Sequence, residues 1–138
     1  MSFAEKNLWI YGVLAVVIPA VYAAIVFGQL GQKPVGEVEY VIPLIAAIGT
    51  AIVVAIVASI AIAIASPKNA SSDERDASIS RTGEVVGYYV LSAGVLGALA
   101  LVMTDAQSFW VAQAIYGAFV VSAILSTIVK IVAYRRAA

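Results

Sequence analysis

Apolar residues in this chain fall into four long runs, without the alternation of a strand or the one-sided stripe of a surface helix. Positions 8–28, 40–65, 85–104 and 108–129 contain no Asp, Glu, Lys, Arg or His. A hydrocarbon core about 30 Å thick takes roughly 20 helical residues at about 1.5 Å each, and every run reaches that length. A β-barrel would show strands of about 10 residues with alternating polarity, whereas these runs are continuous. The expectation is an all-α integral membrane protein: one domain over 1–138, a bundle of four transmembrane helices. The first run is long for a signal peptide and lacks a convincing small-x-small cleavage site after it, so it is read as a retained span.

The basic residues give the bundle a direction. Lys6 precedes the first run, Lys68, Arg75 and Arg81 lie in the connection 66–84, and Lys130, Arg135 and Arg136 follow the last run. If spans alternate, these seven lie on one side, and only Lys33, in the connection 29–39, lies on the other. Short loops rich in Lys and Arg stay in the cytoplasm. Both termini and the 66–84 loop are therefore expected to be cytoplasmic, in a multi-pass protein of the plasma membrane.

Each run carries small residues spaced by four. The second is the most regular, with Ala47, Ala51, Ala55, Ser59 and Ala63 beside a parallel row of isoleucines from Ile48 to Ile64. The third opens on Gly83 and Gly87, with Ala93–Gly97 and Gly94–Ala98 further on, and the fourth has Ala114, Ala118, Ser122 and Ser126. Lipid gives helices no hydrophobic reason to associate, so small residues that permit close backbone approach mark candidate packing faces. If the second row is buried, Ala55→Leu should loosen the bundle. Pro43 stands where a first helical turn tolerates it. Pro19 lies mid-span, where it removes a hydrogen bond and is expected to bend the helix.

Chemistry is sparse. With no Cys and no His, thiol catalysis, histidine haem ligation and the usual zinc sites are excluded, and neither cofactor nor metal is expected. A formal net charge of zero gives no reason to expect nucleic-acid binding. Ion-coupled transport normally places an ionisable group inside the membrane, and no run has one. Gln113, Ser122 and Ser126 are the candidate polar membrane site. Gln113 would either bond a neighbouring helix or, with the two serines, line a pathway between copies.

The connection 66–84 is the one charged segment. Ser71 and Glu74 have capping-box spacing, so a helix is expected to begin near Ser72 and run on into the third span as a cytoplasmic stem. Asp73, Glu74 and Asp76 would sit in its first turn, where the helix dipole favours negative charge. With Arg75, Arg81 and Glu84 they form a candidate interaction surface, for Arg135 and Arg136 or for a partner protein.

Asp73-Glu74-Arg75-Asp76, followed by Ile79, Gly83-Glu84 and Gly87-Tyr88-Tyr89, resembles the pattern of small, uncharacterised four-span bacterial membrane proteins of actinobacterial type. The opening Glu5-Lys6…Trp9-Ile10-Tyr11 and the closing Ala133-Tyr134-Arg135-Arg136 resemble them too. The likeness implies a four-helix membrane fold and brings no activity with it. Chemistry is missing while packing faces are abundant. The expected function is thus non-enzymatic: an accessory or regulatory subunit, as a homo-oligomer or within a larger membrane complex. An oligomeric small transporter, channel or toxin-protection protein is the alternative.

Overall fold

The computed structural model describes residues 3–65 and 74–137. Its helices are α1 (Phe3–Phe27), α2 (Val41–Ala65), α3 (Glu74–Met103) and α4 (Ser108–Ala137), with a single 3-10 turn at Val35–Glu37. All four are long and apolar enough to cross a membrane, so the chain is a four-span, multi-pass membrane protein. The stem and the third span form one unbroken helix from Glu74. Ser71, Ser72 and Asp73, on which the expected cap rests, lie outside the described residues. α1 stays helical through Pro19.

Extensive packing joins α3 to α4, α4 to α1 and α1 to α2. The order across the bundle is therefore α2–α1–α4–α3, with α2 and α3 on the flanks. The α3–α4 pair is antiparallel and very close. A Cβ added to Gly83 would strike the Lys130 side chain, one on Gly87 would meet Ser122 Oγ at 3.1 Å and Ser126 Cβ at 3.3 Å, and one on Gly94 would overlap Ala118. The three glycines thus face successively earlier residues of α4, and their missing side chains let the two backbones approach.

The turn between these helices is a Schellman motif. Asp105 takes a left-handed backbone (φ 57°), its N–H reaches Val102 O at 3.1 Å, and Ala106 N–H reaches Leu101 O at 3.0 Å. These two bonds satisfy carbonyls that the end of α3 would otherwise leave open. Aspartate is one of the few residues besides glycine that visits this region routinely.

Two cores pin the bundle, one at each end. At the loop end, away from the termini, Tyr22, Val26, Val38, Ala47 and Phe109 are buried together, with Tyr40, Leu44 and Tyr116 packed around them. Phe109 stands edge-to-face with Tyr40 at 5.6 Å and with Phe27 at 6.1 Å. At the terminal end, Leu8 of α1, Ile79 of α3 and Tyr134 of α4 form a second buried cluster. Between these cores the small-residue row of α2 divides. Ala47 belongs to the loop-end core, while Ala51 and Ala55 are half-buried and border an open groove. The isoleucines beside them, including Ile48, Ile52, Ile56 and Ile60, are exposed, and Ile48 and Ile52 also border the groove.

The connection 29–39 is more ordered than its polar composition suggests. The Gln29 amide donates to Glu39 O at 3.2 Å and accepts from Glu39 N–H at 3.1 Å. One side chain thereby pairs with a backbone unit as a strand would, and ties the end of α1 to the start of α2.

Candidate functional site

Three polar locations stand out, two at helix interfaces and one at the terminal end. In the first, the Tyr22 hydroxyl of α1 donates to Gln113 Oε1 of α4 at 2.7 Å. Tyr116, one turn beyond Gln113, packs edge-to-face on the Tyr22 ring at 4.8 Å. The amide Nε2 of Gln113 is buried with no partner among the described residues. In the second, the Ser122 hydroxyl donates to Gly87 O of α3 at 2.7 Å. Gln113 therefore belongs to the α1–α4 interface and Ser122 to the α3–α4 interface. Within one chain the fold thus sends the two side chains to different neighbours.

The terminal end gathers the third and richest set. The Tyr134 hydroxyl donates to Asp76 Oδ1 at 2.6 Å, and the Arg75 guanidinium lies 5.4 Å from the centre of the Tyr134 ring, within cation–π range. Tyr134 lies past the apolar run 108–129. Burial raises the pKa of its hydroxyl, and the hydrogen bond to Asp76 raises it further, so Tyr134 remains the proton donor of the pair. Glu84 Oε1 lies 3.9 Å from Lys130 Nζ and accepts from the Ser80 hydroxyl at 3.3 Å. Only 19% of the Lys130 side chain is exposed, against 71% for Glu84.

The acidic stem thus meets α4 through Tyr134 and Lys130. Arg135 and Arg136, the α4 residues expected to receive it, are exposed, as are Glu74 and Arg81. Asp73 lies outside the described residues. The sequence pattern marks Lys130 as one of the seven cations and Tyr134 as part of the closing motif, and pairs neither with the stem. The available signal was position: a tyrosine and a lysine four residues apart sit just beyond an apolar run, where a helix face leaves the hydrocarbon.

Two hollows meet at this end. One, of about 310 Å³, is edged by the polar side chains Asn7, Tyr11, Asp76, Ser80, Lys130 and Tyr134 together with Leu8, Ala77 and Ile79, and its surface is more apolar than polar. Asn7 Oδ1 is buried here with no hydrogen-bond partner among the described residues. The other, of about 620 Å³, is the groove between α1, α2 and α4. It is lined by apolar and small side chains from Leu8 and Tyr11 to Ile18, Pro19 and Ala47, and by α4 from Tyr116 to Lys130. Leu8, Tyr11 and Lys130 border both hollows.

No family model matches the chain, and it has no significant likeness among curated proteins or solved structures.

Proposed function

We propose that this chain is a non-enzymatic accessory or regulatory subunit of the plasma membrane, with both termini cytoplasmic, acting through helix contacts with a larger membrane complex or with further copies of itself. The observation that carries this reading is the placement of α3. It continues without a break from the charged stem into the span, and among the described residues its only extensive packing is on α4. Its outer face runs from Arg81 through Val85, Tyr88, Leu96 and Leu99 to Met103, all exposed. Steps of three, four and eight residues keep these positions on one side of the helix. A charged base, an aromatic band formed by the Tyr88–Tyr89 pair (5.6 Å between rings) and an apolar upper half give a second helix a surface with register.

The low internal burial supports the same reading. No span has more than 11% of its most apolar window buried inside the chain, which leaves most helix surface for lipid or partners. The seven cations on alternate connections support the sidedness through the positive-inside rule.

The test is purification of the full chain from native membranes in mild detergent. The expected result is a stable companion or a second copy that is lost when Arg81→Glu and Tyr88→Ala are combined. A monomer with no companion refutes the proposal.

A further inference from the structure

We infer that the paired hollows at the terminal end form a binding site for one membrane lipid, a glycerophospholipid whose headgroup carries a primary ammonium beside its phosphate. The inference is independent of the accessory role and rests on four observations.

The first is shape. A pocket edged by six polar side chains and an apolar groove, which share Leu8, Tyr11 and Lys130 as a common border, match an amphiphile with its head in one and an acyl chain in the other. Pockets of this order of size, about 300–1,000 Å³, hold small ligands. The groove follows α4 from Tyr116 to Lys130, about 21 Å at roughly 1.5 Å per residue, enough for an extended acyl chain. Among the described residues α1 packs extensively on α2 and on α4, whereas α2 and α4 do not pack extensively on each other, so the groove opens sideways between α2 and α4 and a chain enters from the bilayer.

The second is depth. Asn7 immediately precedes the first charge-free run and Lys130 immediately follows the last. The smaller pocket therefore lies at headgroup level and the groove at acyl level.

The third is charge. The smaller pocket is lined by one cation, Lys130, and one carboxylate, Asp76. Lys130 leans on Glu84 only at 3.9 Å and has three N–H donors to offer a phosphate. Asp76 accepts from Tyr134 and contributes its negative charge to the pocket wall. A lining of one charge of each sign is complementary to a zwitterion and gives a purely anionic headgroup no net attraction.

The fourth is the buried Asn7 Oδ1, an acceptor with no donor among the described residues. Such a group is costly until an N–H reaches it. A primary ammonium supplies N–H groups, whereas a trimethylated ammonium has none. This selects phosphatidylethanolamine over phosphatidylcholine, two lipids alike in charge and differing in hydrogen-bonding capacity.

The experiment is native mass spectrometry of the full chain in mild detergent with phosphatidylethanolamine, phosphatidylcholine and phosphatidylglycerol at equal mole fraction. Phosphatidylethanolamine should be retained about tenfold over phosphatidylcholine, the ratio that one charge-assisted hydrogen bond supplies. Asn7→Leu should erase that preference and Asn7→Asp should keep it. Lys130→Met should lower retention of all three lipids, and Val53→Ala, exposed on α2 and lining neither hollow, should change nothing. Equal retention of the two zwitterionic lipids overturns the inference, as does a preference for phosphatidylglycerol. So does a groove filled by a second copy of the chain with no lipid retained. The comparison on the unmodified protein decides the matter even if a variant fails to fold.

Discussion

The Ser122 hydroxyl bonds the backbone carbonyl of Gly87 across the α3–α4 interface at 2.7 Å, at a point where a Cβ on Gly87 would stand 3.1 Å from Ser122 Oγ. A helix carbonyl keeps a lone pair after its intrahelical bond, so this contact costs α3 none of its own ladder. It shows how the bundle is held where lipid offers no hydrophobic drive: by close backbone approach, with a hydroxyl spanning the remaining gap.

The closest approach in that interface is the least forgiving. A Cβ on Gly94 would overlap the Ala118 Cβ and sit 3.1 Å from its Cα, and neither atom can swing aside. Gly94→Ala should destabilise the protein by about 1–3 kcal/mol, the usual cost of overpacking. Gly117→Ala, which adds a methyl group to open space, should be neutral or stabilising by up to about 1 kcal/mol. Gly83→Ala should lie between, because the Lys130 stem that it would strike is flexible. Unfolding titrations in mixed micelles check the order.

Tyr22 and Gln113 form a pair whose members depend on each other. Tyr22→Phe leaves both polar ends of the Gln113 amide without a partner in an apolar setting, at a cost of about 1–2 kcal/mol. Adding Gln113→Leu removes the orphaned amide and should recover most of that loss. A double-mutant cycle by the same titration would expose additive losses, and additivity would mean the two groups are not coupled.

Tyr134 latches the stem to α4. Tyr134→Phe removes the donor to Asp76 and keeps most of the packing against Leu8 and Ile79. Amide hydrogen exchange should accelerate over 74–84, by about tenfold for a bond to a charged group, while the middle of α3 stays protected. Uniform protection in the variant would mean that packing alone holds the stem.

Ala47 and Ala55 belong to one four-residue row and should answer differently to the same change. Ala47→Leu forces a larger side chain into the loop-end core beside Tyr22 and Phe109 and should cost about 1–3 kcal/mol. Ala55→Leu projects into the open groove, so it should leave stability within about 1 kcal/mol and reduce lipid retention. Thermal unfolding in detergent, read together with lipid content, separates the two. Loosening by Ala55→Leu requires a buried row, and Ala55 is half-buried at the border of the groove.

Much of this molecule is fixed before any residue meets a distant one. Four charge-free runs, each long enough to cross a bilayer, leave the backbone no option but helix, because hydrocarbon satisfies no N–H or C=O group. Alternation of the spans, the close faces Gly83–Gly87 and Ala118–Ser122, and entry of the charged stem into the third span all follow from local spacing. Partner choice does not. That α3 lies on α4 while α2 touches only α1 extensively, that Tyr134 and not Arg135 receives Asp76, and that the alanine row of α2 fills a core at one end and lines a groove in the middle, were settled by how four helices of unequal shape close on one another. Side chains of similar polarity recur along every span, and a linear pattern assigns each a face without saying which neighbour, lipid or empty space that face will meet.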